Sequence, residues 1–144
     1  MIEKARRKGV RKKMTVKECF ETALSFLSET AEENPEMKKF SIAWCNVLLG
    51  ETFEHENVYR IYKGKEELLH PLKVLGYEEE IPYNENLVRK AFPYGMARWM
   101  FRENDDISAS HEYYSLYVNA IKEATPVLFG KIKDVYSAEG EKWD

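Results

Sequence analysis

The stretch EIPYNENLVRKAFPYGMARWMFREND, from Glu80 to Asp105, decides the fold. Its apolar residues recur at helical spacing and predict one buried helical face, made of Leu87, Val88, Ala91, Phe92, Met96, Trp99 and Met100. Pro93 and Gly95 interrupt this pattern, because in a helix interior they cost about 3 and about 1 kcal/mol. A chain that accepts both needs a compensation. Either the helix bends to fit its neighbours, or the glycine lets another element approach closely.

Capping residues set the ends of this helix and of the next one. Pro82 pushes the residue before it out of the helical region, and Asn84 is then the predicted N-cap. The run Asn104-Asp105-Asp106 ends the helix and can cap its successor. Thr125-Pro126 ends that last long helix. Its predicted face is mostly tyrosine and aliphatic, and consists of Ser110, Tyr113, Tyr114, Tyr117, Ile121 and Ala124.

The first half of the chain predicts two further helices. A capping box from Thr15 to Glu18 starts a helix that we expect to reach about Glu33. Asn34-Pro35 then opens the second helix, with asparagine as N-cap and proline at the first helical position. Gly50 either ends this helix or only interrupts it. Its predicted apolar stripe is Met37, Phe40, Trp44, Val47 and Leu48.

The segment from Lys63 to Glu80 has no helical periodicity and contains Gly64, Pro71 and Gly76. Its leucines are too many for a free linker, so we expect it to pack on the helices. The sequence therefore predicts an all-α bundle of about four helices with a mid-chain excursion and flexible N- and C-terminal arms. The predicted divisions are a basic disordered leader at 1–13, a helical bundle domain at 14–126 and a C-terminal arm at 127–144.

Charge is distributed unevenly along the 144 residues. Residues 1–13 hold seven basic residues and one acid, which leaves 15 basic and 24 acidic residues after them. Such a leader can act as a polyanion-binding arm, or it can be a dispensable extension upstream of Met14. The acidic remainder argues against a broad nucleic-acid surface. The candidate polyanion-binding residues are Arg6, Arg7, Lys8, Arg11, Lys12 and Lys13.

The C-terminal arm has isolated apolar residues without a helical stripe, which predicts a segment that orders on a partner surface. Its candidate docking residues are Phe129, Ile132, Val135 and Tyr136. Cys19 and Cys45 each fall within an apolar pattern and are expected to be buried free thiols. No stretch approaches the roughly 20 apolar residues of a membrane span. We therefore expect a soluble cytosolic product.

Motifs that carry chemistry are missing from the sequence. It has no glycine-rich phosphate loop, no pair of cysteines at metal spacing and no Gly-x-Ser-x-Gly elbow. His111-Glu112 starts like a zinc protease motif, but Ser115 stands where the second histidine belongs. A helix–turn–helix DNA reader would need a basic recognition helix, which is not found. We predict no catalytic residue, metal or cofactor, and no enzyme.

The order of motifs in the second half resembles the head–tail connector (adaptor, or head-completion) proteins of tailed phages and prophages. Ile81-Pro82-Tyr83 is followed by a helix carrying Ala91-Phe92-Pro93-Tyr94-Gly95-Met96-Ala97, where the family has "IPY…ALPYGLA". A short acidic stretch and an aromatic helix come next. The chain then continues from Pro126 through Lys133-Asp134-Val135-Tyr136, similar to the family's "PAEFEPIRDVYG"-like end.

This resemblance implies a structural virion protein. Such adaptors assemble as a ring under the portal, extend the DNA channel, and contact the portal protein and the next neck or tail component, while DNA passes through without sequence recognition. It implies a location in the host cytoplasm during assembly and in the virion neck. Pro93, Tyr94 and Gly95 are then a helix-kink motif. The alternative is another helical protein- or DNA-interaction module, such as a different neck protein or a regulator, using the basic N-terminal arm.

Overall fold

The computed structural model describes residues 12–128, and within that range it has five α-helices and no β-strand. The all-α prediction is confirmed, with one helix more than the four expected. An isolated antiparallel bridge joins Thr15 to Glu80. The helices are α1 (Val16–Ser25), α2 (Pro35–Glu51), α3 (Phe53–Tyr62), α4 (Glu85–Glu103) and α5 (Ile107–Ala124).

The additional helix arises from a break at Thr52. The backbone N–H and the hydroxyl of Thr52 both donate to the carbonyl of Leu48, at 3.0 and 2.7 Å. Its backbone angles, φ −104° and ψ 8°, leave the helical region, so the chain turns before α3 begins. Gly50 therefore does not end the helix. It lies inside α2, and the interruption falls two residues later.

The first helix is shorter than predicted because the chain closes it early. Ser28 adopts the left-handed conformation, with φ +57°. The N–H groups of Leu27 and Glu29 both donate to the carbonyl of Leu24, at 2.9 and 3.1 Å, which satisfies an acceptor at the helix end. The predicted extension of α1 to about Glu33 is wrong for this reason.

Most of the predicted helix starts are confirmed. The capping box at Thr15 has both of its reciprocal hydrogen bonds. The side chains of Asn84 and Asp106 each accept from the backbone N–H three residues later, at 3.0 and 3.1 Å. Pro35 occupies the first turn of α2 as expected, but the Asn34 amide donates to a carbonyl four residues earlier and does not cap the helix.

Helix α4 is the centre of the bundle. It packs mainly against α5 and also against α1 and α2. Because neighbours cover several of its sides, the single buried face predicted from sequence is too narrow, and Trp99 from that face is only partly buried. The residues of α4 that are buried are Leu87, Val88, Ala91, Phe92, Pro93, Gly95, Met96, Ala97, Arg98 and Met100.

The apolar stripe predicted for α2 divides into two surfaces. Met37 and Leu48 are buried as expected, together with Cys45. Phe40 and Val47 are 41% and 42% exposed, so the predicted stripe is wrong at these positions. Periodicity places apolar residues on two sides of α2, and the other described helices cover one of them.

The mid-chain excursion, residues 63–80, packs on the helices as expected, but only with some of its apolar side chains. Val74 is fully buried, and Leu68 and Leu72 pack against the core. In contrast, Leu69 is 91% exposed and Leu75 is 85% exposed. The prediction that the leucines of this segment are covered is therefore wrong for these two.

Gly95 explains how α4 approaches two neighbours at once. A Cβ added at Gly95 would lie 2.6 Å from Cδ2 of Leu48 on α2 and 2.8 Å from Cε1 of Tyr117 on α5. Such contacts are well inside the normal carbon–carbon separation of about 3.5–4.0 Å. Of the two compensations considered for Pro93 and Gly95, close approach at the glycine is the one the packing requires. A bend at Pro93 stays a prediction, and α4 is one continuous helix through it.

Replacing Gly95 by alanine is expected to lower the free energy of unfolding by about 1–3 kcal/mol, because the added methyl group overpacks the core. This loss outweighs the gain of about 1 kcal/mol in helix propensity. Urea unfolding followed by circular dichroism measures the difference.

Gly50→Ala is the matched control. Gly50 is also helical, and apart from its two chain neighbours and the nearby backbone of its own helix, no heavy atom of residues 12–128 comes within 4 Å of the place its Cβ would take. We expect that variant to be more stable by about 0.5–1 kcal/mol. A Gly95→Ala protein as stable as the unchanged chain would contradict the packing argument.

Candidate functional site

The three residues of the predicted helix-kink motif lie together in the middle of α4. Pro93 and Gly95 are buried, and Tyr94 is half-buried. Because proline has no N–H, the carbonyl of Arg89 loses its usual helical donor. Pro93, Tyr94 and Arg89 line a shallow groove of about 290 Å³ between α1, α4 and α5.

An aromatic cluster surrounds Tyr94. Its ring stacks on Phe26 with ring centroids 5.4 Å apart, and both rings contact Tyr113 of α5, at 6.1 and 5.5 Å. Phe101 adds a fourth ring, 4.9 Å from Tyr113. Offset and tilted pairs of this kind stabilise by about 0.5–1.5 kcal/mol beyond their buried area. The motif thus joins α1, α4 and α5 through side chains that carry no reactive group.

Arg98, one turn after Tyr94 on α4, is the centre of a charged cluster. Arg98 Nη2 donates to Oε1 of Glu51 at 3.0 Å, and the hydroxyl of Tyr117 donates to the same oxygen at 3.0 Å. The Arg98 guanidinium also lies over the rings of Trp99, Tyr114 and Tyr117, at 4.5, 5.1 and 5.2 Å from their centroids. Cation–π contacts and a shared carboxylate together offset the cost of burying the guanidinium. We call Arg98, Glu51 and these three aromatic residues the Arg98 cluster.

The Arg98 cluster joins three helices through hydrogen-bonded and packed side chains. Burial, followed by the nearby Glu51 carboxylate, raises the pKa of Tyr117 far above its usual range. The phenol therefore stays protonated at neutral pH and acts as a permanent donor. The carboxylate of Glu51 already accepts from two donors. These groups hold α2, α4 and α5 together.

A second buried carboxylate, Glu56, links α3 to the start of α4. It accepts from the backbone N–H and the side-chain amide of Asn84, at 2.7 and 3.0 Å, and from Nε of Arg60 at 2.9 Å. This role was not predicted from the sequence, although the spacing of Glu56 and Arg60 by four residues is typical of a helical ion pair. The pairing of Glu51 with Arg98 was not predicted either, because 46 residues lie between them in the chain.

A groove of about 360 Å³ lies beside the Arg98 cluster, lined by residues of α2, α3 and α5 that include Glu51, His55 and Lys122. Nδ1 of His55 lies 3.2 Å from Oγ1 of Thr125, whose hydroxyl also donates to the carbonyl of Ile121. Burial lowers the pKa of His55, and the Glu54 carboxylate opposes this shift. The groove has one acid, one imidazole and one ammonium group, and its histidine serves to join α3 to the end of α5.

Two further predicted features lie within residues 12–128, the two cysteines and the tyrosine face of α5. Cys19 and Cys45 are buried free thiols, as expected. Burial raises the pKa of both thiols, to about 12 for Cys45. A thiol with so high a pKa is a poor nucleophile at neutral pH. Tyr113 of the predicted tyrosine face is half-buried, but Tyr114 is 47% exposed and extends outside the packed face.

Parts of the predicted arms lie outside residues 12–128. Of the polyanion-binding candidates, Lys12 and Lys13 are described and exposed, and the carbonyl of Lys12 accepts from Arg89 at 2.9 Å. Outside the described residues lie Arg6, Arg7, Lys8 and Arg11, and the docking candidates Phe129, Ile132, Val135 and Tyr136.

Among residues 12–128 no group of three or more histidine, cysteine, aspartate or glutamate side chains is placed to hold a metal ion. In the same part of the chain no helix has the length and apolar character needed to cross a membrane.

Comparison with known proteins adds no relative. No protein-family model, no curated protein and no solved structure matches the chain.

Replacing Tyr117 by phenylalanine is expected to lower the free energy of unfolding by about 1.5 kcal/mol, because it removes a hydrogen bond to a carboxylate. Urea unfolding at pH 7 measures the loss. Tyr114→Phe is the matched control, since it changes an exposed tyrosine of the same helix and the same cluster, and we expect a change of less than about 0.5 kcal/mol. Equal effects from the two variants would contradict the assigned role of the Tyr117 hydroxyl.

His55 is expected to make the fold less stable in mild acid. Its pKa in the folded chain is below the ordinary 6.5, so the unfolded chain binds the proton more readily. The free energy of unfolding should therefore fall as the pH decreases through 6.5 towards the lower folded pKa.

The measurement compares the unchanged chain with His55→Gln by urea unfolding between pH 7.5 and 5.5. Both proteins contain the same carboxylates, so the difference between their free energies of unfolding isolates His55. The unchanged chain should lose more stability on acidification than the variant. His111→Gln, at an exposed position, is the control and should run parallel to the unchanged chain. A constant difference between His55→Gln and the unchanged chain would disprove the effect.

Proposed function

We propose that this chain is a head–tail connector adaptor of a tailed phage or prophage. It is a structural protein that joins a ring under the portal and extends the DNA channel. The observation that carries the proposal is that the residues on which the resemblance rests pack the helices against one another. Gly95 is where α4 meets α2 and α5, and Tyr94 joins α4 to α1 and α5. Motif residues with a packing role suit a family whose function is assembly.

The first part of the resemblance, Ile81-Pro82-Tyr83, has the same kind of role. Ile81 and Tyr83 are buried, and the Tyr83 hydroxyl donates to the carbonyl of Leu49 at 2.6 Å. Burial raises the pKa of Tyr83 to about 12, so this donor is permanent at neutral pH. The backbone of Ile81 also donates to the carbonyl of Met14, at 2.9 Å. These contacts fix the entry to α4 against α1 and α2.

The charge distribution supports a channel protein. After residue 13 the chain has nine more acidic than basic residues. An acidic wall repels the DNA backbone, so DNA can slide past it without adhering. The proposed partners are accordingly the portal protein, the next neck or tail component and further copies of this chain, and DNA is a passing cargo.

Exposed apolar side chains support a protein that binds other proteins. Aromatic and aliphatic residues are more than a third exposed on α2, α3, α5 and the mid-chain excursion. Single exposed side chains of this type are normal, and a contiguous group of them marks a contact surface. The largest exposures are at Tyr62, Leu69, Leu75, Ile107 and Val127.

The second candidate function is a helical interaction module that uses the basic N-terminal arm. Seven basic residues within 1–13 favour it. This module would bind DNA in a salt-sensitive way, and the binding would be lost on removing residues 1–13. Genes for a portal, a protease and a major capsid protein beside the coding sequence would instead favour the adaptor.

Binding to DNA-filled heads that carry a portal tests the adaptor proposal. The purified chain is expected to sediment with such heads. A truncation that ends at Leu128 should bind at least about tenfold more weakly, a loss of about 1.4 kcal/mol, because the proposed docking arm is gone. Co-sedimentation at a series of protein concentrations gives the affinity.

A variant lacking residues 1–11 is the control, since it leaves the whole C-terminal arm intact, and it should bind heads as the full chain does. Circular dichroism verifies that both shortened chains keep their helices. Failure of the full chain to bind any portal-bearing head would refute the adaptor proposal. Equal binding by the truncated chain would refute the role of the arm.

A further inference from the structure

Helix α2 has an exposed apolar strip on the side that faces away from the core. Within residues 12–128, Phe40 and Val47 are 41% and 42% exposed, and Ala43 and Gly50 are exposed as well. Their spacing of three, four and three residues is the heptad pattern, which lines side chains up along one side of a helix. The line is continuous, because α2 is unbroken from Pro35 to Glu51. We call these four residues the outer α2 strip.

Side-chain size alternates along the outer α2 strip. Phe40 and Val47 project from the helix, whereas Ala43 has only a methyl group and Gly50 has no side chain. Apart from the chain neighbours of Gly50 and the nearby backbone of α2, no heavy atom of residues 12–128 lies within 4 Å of the place its Cβ would take. The strip therefore has two projections and two recesses.

Trp44 borders the outer α2 strip on one edge. Its ring lies 5.7 Å from the ring of Phe40, in a tilted arrangement, and its other contacts are with the core. An aromatic neighbour of this kind restricts the position of the Phe40 side chain. The largest projection of the strip is thus partly ordered before anything binds it, which lowers the entropy cost of binding.

We propose that the outer α2 strip binds the same strip of a second copy of this chain, with the two α2 helices antiparallel. Cys45 lies midway between Phe40 and Gly50, and also midway between Ala43 and Val47. A two-fold axis beside Cys45 therefore places Phe40 of each copy against Gly50 of the other, and Val47 against Ala43. Each layer of the contact then combines one projection with one recess.

A parallel pair lacks this fit. It would place Phe40 against Phe40 of the second copy and Gly50 against Gly50, so that one layer is overfilled and another is empty. Both faults are unfavourable, because packed helices need contacts without voids or overlap. Side-chain size thus selects the antiparallel arrangement.

The charges of α2 select the same arrangement. Lys38 and Lys39 outnumber Glu36 near its start, whereas Glu51 is the only charged residue of its last turn. The helix dipole adds partial positive charge at the start and partial negative charge at the end. An antiparallel pair places the basic end of each helix beside the acidic end of the other, and a parallel pair places like ends together.

The size of the strip predicts how tightly it binds. From Phe40 to Gly50 the strip is about 15 Å long, which is too short to bury the roughly 800 Å² per partner of a standard interface. We therefore expect a weak dimer, with a Kd of about 10–100 μM. The contact uses the same patch on both copies, so it closes at two copies and does not build a ring.

This inference does not depend on the adaptor proposal, because binding to a portal-bearing head and pairing through α2 are separate measurements. Sedimentation equilibrium of the full chain between about 5 and 500 μM tests the pairing. The average mass should rise from that of one chain to that of two. The mass should then approach a plateau, because the contact is closed.

Val47→Glu should weaken the dimer at least about tenfold, because it places a carboxylate against the methyl group of Ala43. Val47 is on the outer side of α2, so the variant should keep its helices, and circular dichroism verifies this. Ile107→Glu is the matched control. It changes an apolar residue of α5 that is 52% exposed, and it should leave the Kd unchanged.

Gly50→Leu tests the register of the pair. The new side chain fills the recess that receives Phe40, so the dimer should again weaken at least about tenfold, although the strip becomes more apolar. A strip that binds only through its hydrophobicity would bind more tightly after this change. The two variants thus separate the proposed layers from general stickiness.

Four results would overturn the proposal. One is a chain that stays monomeric up to about 500 μM, which would leave another protein or another segment of this chain as the occupant. The others are an unchanged Kd in Val47→Glu, tighter pairing in Gly50→Leu, and a mass that rises beyond two chains without a plateau.

Discussion

The absence of a side chain at Gly95 is the constraint on which the bundle depends. Leu48 of α2 and Tyr117 of α5 both occupy the space that a Cβ would take. A side chain there would force one of the two helices outward and open the core around α4. The cost of glycine in a helix, about 1 kcal/mol, is smaller than the cost of separating packed helices. The buried central helix can therefore keep a residue that an exposed helix would disfavour.

Polar groups inside this packing fix the relative positions of the helices. Tyr117 is placed by the contact at Gly95, and its hydroxyl then meets Glu51, which also receives Arg98. Glu56 holds the start of α4 in the same manner through Asn84. A buried polar group without a partner costs about 1–3 kcal/mol, so an alternative arrangement of the helices loses these bonds together. Apolar packing alone would allow more than one arrangement.

The same groups have packing roles within the described helices. The tyrosines and cysteines of the core have pKa values raised by burial, and the buried carboxylates accept from fixed donors. These groups therefore hold the described helices together. Leu69 and Leu75 are the most exposed large apolar side chains of residues 12–128.

Local signals in the sequence determined the helical class, the capping box at Thr15 and the ends of α4 and α5, because a cap and its partner lie within four residues of each other. They did not reveal the early end of α1, which a left-handed Ser28 decides, or the break at Thr52. Tertiary structure alone decided which side of α2 is covered, why Gly95 is required, and that Arg98 is buried against Glu51. Periodicity shows which sides of a helix are apolar. Which of these sides is buried depends on the neighbouring elements that pack against the helix.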